Sequence, residues 1–148
     1  MNVVILGCGR MGASTAVLMS RNGHNVTVID KDAASARRLG NVELGDNFIV
    51  GNGLEIETLE RAGLDKADAF VATTNYDNRN IMSSMLAKEH FSVPMVIARF
   101  YDSERAEIFS KLGIKSICVT SLGSGIVQDL ILGKHLRSID EYTAGEQK

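Results

Sequence analysis

Short apolar runs alternate with longer amphipathic stretches along almost the whole chain. The apolar runs predict strands at residues 3–6, 26–29, 48–50, 69–72, 95–98 and 116–119. Between them apolar residues recur every three or four positions, which predicts helices at residues 10–22, 33–39, 52–62, 78–90, 102–112 and 125–136. This alternation is typical of an α/β fold in which helices cover both faces of a doubly wound parallel sheet. We expect about six strands in the order 3-2-1-4-5-6, with a ligand crevice at their carboxyl ends.

The first strand turns into the first helix through a glycine-rich loop, which is the most informative motif of the chain. Gly7 permits the tight turn, Gly9 lets the backbone approach a pyrophosphate, and Gly12 lets the helix lie close to the strand. The amides and the dipole of the helix N-terminus then face the anion. Because a strand precedes the loop and a helix follows it, we predict a Rossmann-like nucleotide-binding fold rather than an ordinary turn. The predicted phosphate loop comprises Gly7, Cys8, Gly9, Arg10, Met11 and Gly12.

Asp30 ends the second predicted strand, 18 residues after Gly12. A carboxylate at this position can accept both ribose hydroxyls and would repel a 2′-phosphate, which favours NAD(H) or an adenine nucleotide over NADP(H). Lys31 weakens the exclusion of NADP(H), because a lysine side chain can solvate the 2′-phosphate. The alternative is that Asp30 or Asp32 only caps the short helix that follows.

Two arginines are candidates for phosphate contacts. Arg10 lies inside the glycine loop, where a guanidinium can form a forked pair with phosphate oxygens. It could equally face solvent from the first helical turn. Arg99 follows the fifth predicted strand and is expected at the rim of the crevice, where it would meet a phosphate or bond Asp102.

Polar residues after the third and fourth strands complete the predicted site. Thr73, Thr74 and Asn75 carry hydroxyl and amide groups suited to a nucleotide, although such residues also cap helices. Asn52 and Gly53 offer a close backbone approach on the expected adenine side, or form a simple turn in which Asn52 caps the next helix.

Composition limits the function classes. The 148 residues fit one domain, 45% of them are hydrophobic, and the net charge of −2 argues against a nucleic-acid or polybasic membrane surface. Cys8 and Cys118 do not make a disulfide framework, although the position of Cys8 near a helix N-terminus would suit a redox-sensing thiol. No metal-ligand spacing and no catalytic pair converges on the crevice, so we predict neither a metal site nor an enzyme. A cytoplasmic protein is the default expectation.

Five segments together resemble the RCK domain, also called the KTN or TrkA N-terminal domain. They are Ile5-Leu-Gly-Cys-Gly-Arg-Met-Gly, Val28-Ile-Asp-Lys-Asp, Leu59-Glu-Arg-Ala-Gly-Leu-Asp-Lys-Ala-Asp-Ala, Val71-Ala-Thr-Thr-Asn-Tyr-Asp-Asn-Arg-Asn-Ile and Ile97-Ala-Arg-Phe. The resemblance covers residues 1–136. It implies a non-catalytic gating subunit that binds NAD(H), ATP, ADP or AMP. The resemblance further implies that Gly7–Gly12 bind the phosphates and that Asp30 binds the ribose. Thr73 and Thr74 would line the ligand, and Arg99 would reach its phosphate end.

The resemblance also implies an assembly. Such modules form dimers and larger rings on the cytoplasmic face of a membrane potassium transporter, so we expect a peripheral location at the inner face of the cell membrane. The predicted helix 125–136 would carry the contact between copies, unless it only packs on its own sheet. We expect one domain at residues 1–136, a polar tail at residues 137–148 and no C-terminal RCK domain in this chain. An NAD-dependent dehydrogenase, or the cofactor-binding half of one, is the alternative, and a nucleotide sensor serving another partner is a third possibility.

Overall fold

A six-stranded parallel sheet organises the protein. The computed structural model describes residues 1–143. The strands are β1 (Asn2–Leu6), β2 (Asn25–Asp30), β3 (Phe48–Val50), β4 (Ala69–Ala72), β5 (Met95–Phe100) and β6 (Lys115–Cys118). Their order in the sheet is β3-β2-β1-β4-β5-β6, and every neighbouring pair is parallel. The predicted Rossmann-like, doubly wound topology is therefore confirmed.

Helices connect the strands and cover both faces of the sheet. They are α1 (Arg10–Arg21), α2 (Ile56–Arg61), α3 (Asp77–Met85), α4 (Ser103–Lys111), α5 (Val119–Ile131) and α6 (Ile139–Thr143). Short 3-10 helices lie at Ala33–Leu39, Gly45–Asn47 and Leu64–Lys66, and a π-helical turn at Leu86–His90 extends α3. Successive side chains of a strand point to opposite faces. Accordingly Val4 and Leu6 of β1 belong to one buried apolar cluster, while Val3 and Ile5 belong to the other.

The last long helix begins earlier than the sequence predicted. We expected it at residues 125–136, whereas α5 starts at Val119, directly after β6, and ends at Ile131. Gly123 and Gly125 led the sequence analysis to place the start of the helix too late, because glycine is a poor helix former. Gly125 instead makes room for a neighbour, since a Cβ built there would lie 2.6 Å from the Tyr142 ring.

The apolar spacing of α3 matches its buried face only in part. Ile81 and Met85 pack against the apolar core, but Met82 is 55% exposed. Asn80, Ser83 and Ser84 are fully buried instead. Helix α3 packs directly against β4 and β5, and small side chains at the contact allow that close approach.

The sequence predicted a polar tail at residues 137–148. Helix α6 lies in this segment, and Tyr142 is buried with its hydroxyl donating to Asp129 over 2.9 Å. A single aromatic side chain, that of Tyr142, thus anchors this segment on α5. The rest of the predicted tail lies outside the described residues. Within residues 1–143, no helix has the length and apolar character of a membrane span.

Candidate functional site

A cavity of about 210 Å³ opens at the carboxyl edge of the sheet, between the ends of β1, β2 and β4. Nine of the predicted site residues line it: Gly7, Cys8, Gly9, Asp30, Lys31, Gly53, Thr73, Thr74 and Asn75. Five predicted residues are not among the lining residues: Arg10, Met11, Gly12, Asn52 and Arg99. The topology thus brings together segments that lie far apart in sequence, as expected for the crevice of a doubly wound sheet.

The glycine loop owes its shape to tight backbone packing. Gly7 has a φ of +97°, and a Cβ built there would lie 3.1 Å from the Thr74 nitrogen. At Gly12 the added Cβ would lie 1.9 Å from the Gly7 carbonyl oxygen, so this glycine allows α1 to pack on the loop. At Gly9, by contrast, nothing lies within 4 Å of an added Cβ, and this glycine lines the cavity.

Helix α1 presents unpaired amides at this loop. Its N-cap residue is Gly9, no side chain caps the helix, and the first backbone bond runs from the Ala13 nitrogen to the Gly9 oxygen. The first turn contains no acidic residue. Free N–H groups and the positive end of the helix dipole together form a site that suits an anion such as a phosphate.

Asp30 joins the glycine loop to the end of β2. Its Oδ2 accepts a hydrogen bond from the Cys8 nitrogen at 2.6 Å, and its Oδ1 accepts one from the Asp32 nitrogen at 2.9 Å. Each carboxylate oxygen retains a further lone pair that can accept from a ribose hydroxyl. The capping role belongs to Asp32, whose Oδ1 accepts from the Ala34 nitrogen.

The two threonines after β4 fix the opposite wall. The Thr73 hydroxyl donates to the Leu6 and Gly7 carbonyl oxygens, each at 3.1 Å, and so anchors the glycine loop. Thr74 is held by Asn80, whose Oδ1 accepts from the Thr74 nitrogen at 2.9 Å and from its hydroxyl at 2.6 Å. The Asn80 amide group also donates to the Thr74 and Arg99 carbonyl oxygens. This buried carboxamide therefore ties the cavity wall to β5.

Arg99, Arg10 and Asn52 do not lie as the sequence predicted. Strand β5 continues to Phe100, so Arg99 lies within the strand. Its guanidinium stacks 4.4 Å from the Tyr101 ring centroid and donates to the Tyr101 hydroxyl, and it bonds no Asp102 carboxylate. Arg10 is an exposed residue of the first turn of α1. Asn52 does not cap α2, because that helix begins later, with Glu55 as its N-cap.

Several lining residues escaped the sequence analysis: Ser35, Arg38, Tyr76 and Arg79. Arg38 reaches back from the 3-10 helix to the loop, where its Nη1 donates to the Cys8 carbonyl oxygen at 3.4 Å. No local sequence motif predicts that contact. Tyr76 and Arg79 lie at the start of the helix after β4, so their position at the sheet edge was available from the predicted topology.

Cys8 is fully buried, and its Sγ donates to the Ser35 carbonyl oxygen at 3.4 Å. Burial, together with the nearby Asp30 charge, raises the pKa of the Cys8 thiol above its ordinary value. A reactive thiol needs exposure and a lowered pKa. The redox-sensing alternative for Cys8 is therefore not supported by the geometry.

Known proteins share both the sequence pattern and the fold. Relatives named Trk system potassium uptake protein TrkA, from Streptomyces coelicolor, and its homolog from Methanothermobacter thermautotrophicus are 44% and 41% identical over 117 residues, which is 79% of this chain. The chain spans about half the length of these relatives, 52% and 53% respectively. A crystal structure of GsuK bound to ADP superposes with a TM-score of 0.72 at 26% identity, covering 90% of this chain and 34% of that one.

More distant structures agree in fold. The Kef CTD of Shewanella denitrificans, solved in its AMP-bound form, gives a TM-score of 0.71 at 21% identity and covers 96% of this chain and 86% of that one. The model of the TrkA-N domain matches residues 3–120, which include the whole cavity wall and all of the sheet except Asn2. The resemblance seen in the sequence is thereby confirmed, and the chain belongs to the TrkA-N family of RCK domains.

Proposed function

We propose that this chain is a nucleotide-binding regulatory subunit that gates a potassium uptake system, without catalysing a reaction. The observation that carries the proposal is the pairing of Asp30 with the glycine loop. A carboxylate for a ribose and unpaired helix amides for a phosphate flank one cavity. NAD(H), ATP, ADP and AMP all contain that ribose–phosphate unit. The names of the TrkA relatives support the link to potassium uptake.

Regulation would follow from linkage. A ligand that binds one assembly geometry more tightly than another shifts the population toward it, and coupling of this kind is typically about 1–3 kcal/mol per effector. Ligand binding could be coupled to the rest of the sheet through Asn80. This residue bonds both Thr74 on the cavity wall and Arg99 on β5. In this scheme the subunit acts at the cytoplasmic face of the membrane, where a potassium transporter subunit is its partner. The regulatory unit is the domain at residues 1–136.

Assembly through α5 is the second part of the proposal. Val127, Leu130 and Ile131 are 54%, 64% and 78% exposed, whereas Asp129 on the same helix is buried. The apolar side of α5 therefore faces away from the sheet, which is the reverse of a helix that only covers its own core. A second copy that offers the same apolar side would bury these residues in a homodimer or in a ring.

Nucleotide binding is tested by thermal unfolding with NADH, NAD, ATP, ADP and AMP. A ligand at 100 times its Kd stabilises the folded protein by about 2.7 kcal/mol. We expect Asp30→Ala to abolish most of that shift for every ribose-bearing ligand. The matched control is Asp65→Ala, which removes an exposed carboxylate in the 3-10 helix at Leu64–Lys66. Absence of any shift in the parent protein, or equal shifts in both variants, would contradict the site.

Two further measurements separate the proposal from a dehydrogenase. Light scattering should give a dimer or a larger species for the parent and a monomer for Leu130→Asp, while the exposed neighbour Gln128→Asp keeps the parent mass. Bound NADH should remain unoxidised over hours in the presence of candidate carbonyl substrates. Turnover of NADH by the isolated chain would favour the dehydrogenase instead.

A further inference from the structure

Arg79 is a half-buried cation on the cavity wall that has no acidic partner among the described residues. Its guanidinium carbon lies 5.1 Å from the centroid of the Tyr76 ring. Asp77, the acidic residue nearest to it in sequence, accepts from the backbone amides of Tyr101 and Asp102 instead. An arginine without a carboxylate partner keeps its charge and its N–H donors for another anion. Arg79 is therefore available to an anion that enters the cavity.

Charges along the cavity wall are unevenly distributed. At the β2 end Asp30 and Asp32 are balanced by Lys31 and Arg38. On the β4 side Arg79 is the charged residue among the described lining residues. The β2 end is thus close to neutral, while the β4 side carries a positive charge. A ligand with a neutral and an anionic end gains most free energy when its anionic end points toward Arg79.

The glycine loop lies between these two ends of the cavity. On one side the Cys8 nitrogen donates to the Asp30 carboxylate at 2.6 Å. On the other side Gly7 packs against Thr74, where an added Cβ would lie 3.1 Å from the Thr74 nitrogen. A nucleotide whose ribose bonds Asp30 and whose first phosphate meets the loop amides would extend its further phosphates toward the β4 side.

We infer that Arg79 binds the β- and γ-phosphates of an adenine nucleotide and gives the site a preference for ATP and ADP over AMP. The inference rests on the proposed nucleotide-binding function. The ring of Tyr76 supports the guanidinium from one face by a cation–π contact, which leaves its N–H edge free for phosphate oxygens. Neither Arg10 nor Arg99 lines the cavity, whereas Arg79 does.

The test is calorimetric titration of the full chain with ATP and with AMP, in the parent and in Arg79→Ala. Loss of charge-assisted hydrogen bonds to the outer phosphates should weaken ATP roughly 10- to 100-fold and AMP less than about threefold. Arg79→Lys keeps the charge, so its ratio of ATP to AMP affinity should lie above that of Arg79→Ala. Arg61→Ala, at the exposed end of α2, is the matched control and should keep the parent ratio.

Each outcome decides between the two proposals. If the parent binds no nucleotide, the proposed function itself fails, and this inference fails with it. If the parent binds both nucleotides and Arg79→Ala leaves the affinity ratio unchanged, only the role of Arg79 is overturned. An equal loss for ATP and AMP, or an Arg79→Lys ratio no better than that of Arg79→Ala, also overturns it. Circular dichroism of each variant establishes that the compared proteins are folded.

Discussion

The buried carboxamide of Asn80 offers a sharp test of how the cavity wall is held. Asn80→Ala removes four hydrogen bonds, two accepted from Thr74 and two donated to the carbonyl oxygens of Thr74 and Arg99. The variant leaves one backbone N–H and two carbonyl oxygens without these partners. A buried polar group that loses its partner costs about 1–3 kcal/mol.

The expected loss is smaller than the full sum of those costs. Thr74 is only half-buried, so water can reach part of it, and its hydroxyl can still donate to the Tyr76 carbonyl oxygen. We therefore expect a decrease of about 3 kcal/mol in the free energy of unfolding. For a domain of this size, that corresponds to a decrease of roughly 10 °C in Tm. Most of the sheet should survive, because folded domains are stable by about 5–15 kcal/mol.

Urea denaturation at 25 °C measures the global effect, and hydrogen exchange of the Thr74 amide measures the local one. The matched control is Asn78→Ala on the same helix, where the exposed side chain accepts one hydrogen bond from Arg105. That variant should stay within about 0.5 kcal/mol of the parent. A loss below about 1 kcal/mol for Asn80→Ala, with the Thr74 amide still protected, would refute the reasoning.

Three further outcomes are expected. Gly12→Ala should abolish cooperative thermal unfolding, because its Cβ would lie 1.9 Å from a backbone oxygen. Gly9→Ala, where nothing lies within 4 Å, should keep the parent Tm but weaken nucleotide binding, as titration would reveal. Hydrogen bonds from Arg137 hold the pKa of Asp129 below its ordinary value. The stability from this pair is present above that ordinary value, about 4, and is lost as the pH falls through the lowered pKa. The gap in urea midpoint between the parent and Asp129→Asn should therefore shrink from pH 7 to pH 3, and a constant gap would contradict this.

The assembly of the sheet was predictable from the sequence. Buried parallel strands read as continuous apolar runs, and glycines with a strand before and a helix after them fix the first crossover. From these local signals the strand order and the sheet edge that carries the site follow directly. The positions of Asp30 and Thr73 at the cavity were predictable in the same way, because each lies directly at the end of a predicted strand.

Only the tertiary structure decided which side chains face the cavity and which face solvent. Arg99 near the end of β5 lies over the Tyr101 ring, whereas Arg79 in the first turn of α3 lines the cavity. The burial of Asn80 and the anchoring of Tyr142 on α5 likewise depend on contacts between segments distant in sequence. Periodicity reports only which positions share a face of an element. Packing of one element against another determines which residues that face contacts, and a local sequence pattern does not predict those contacts.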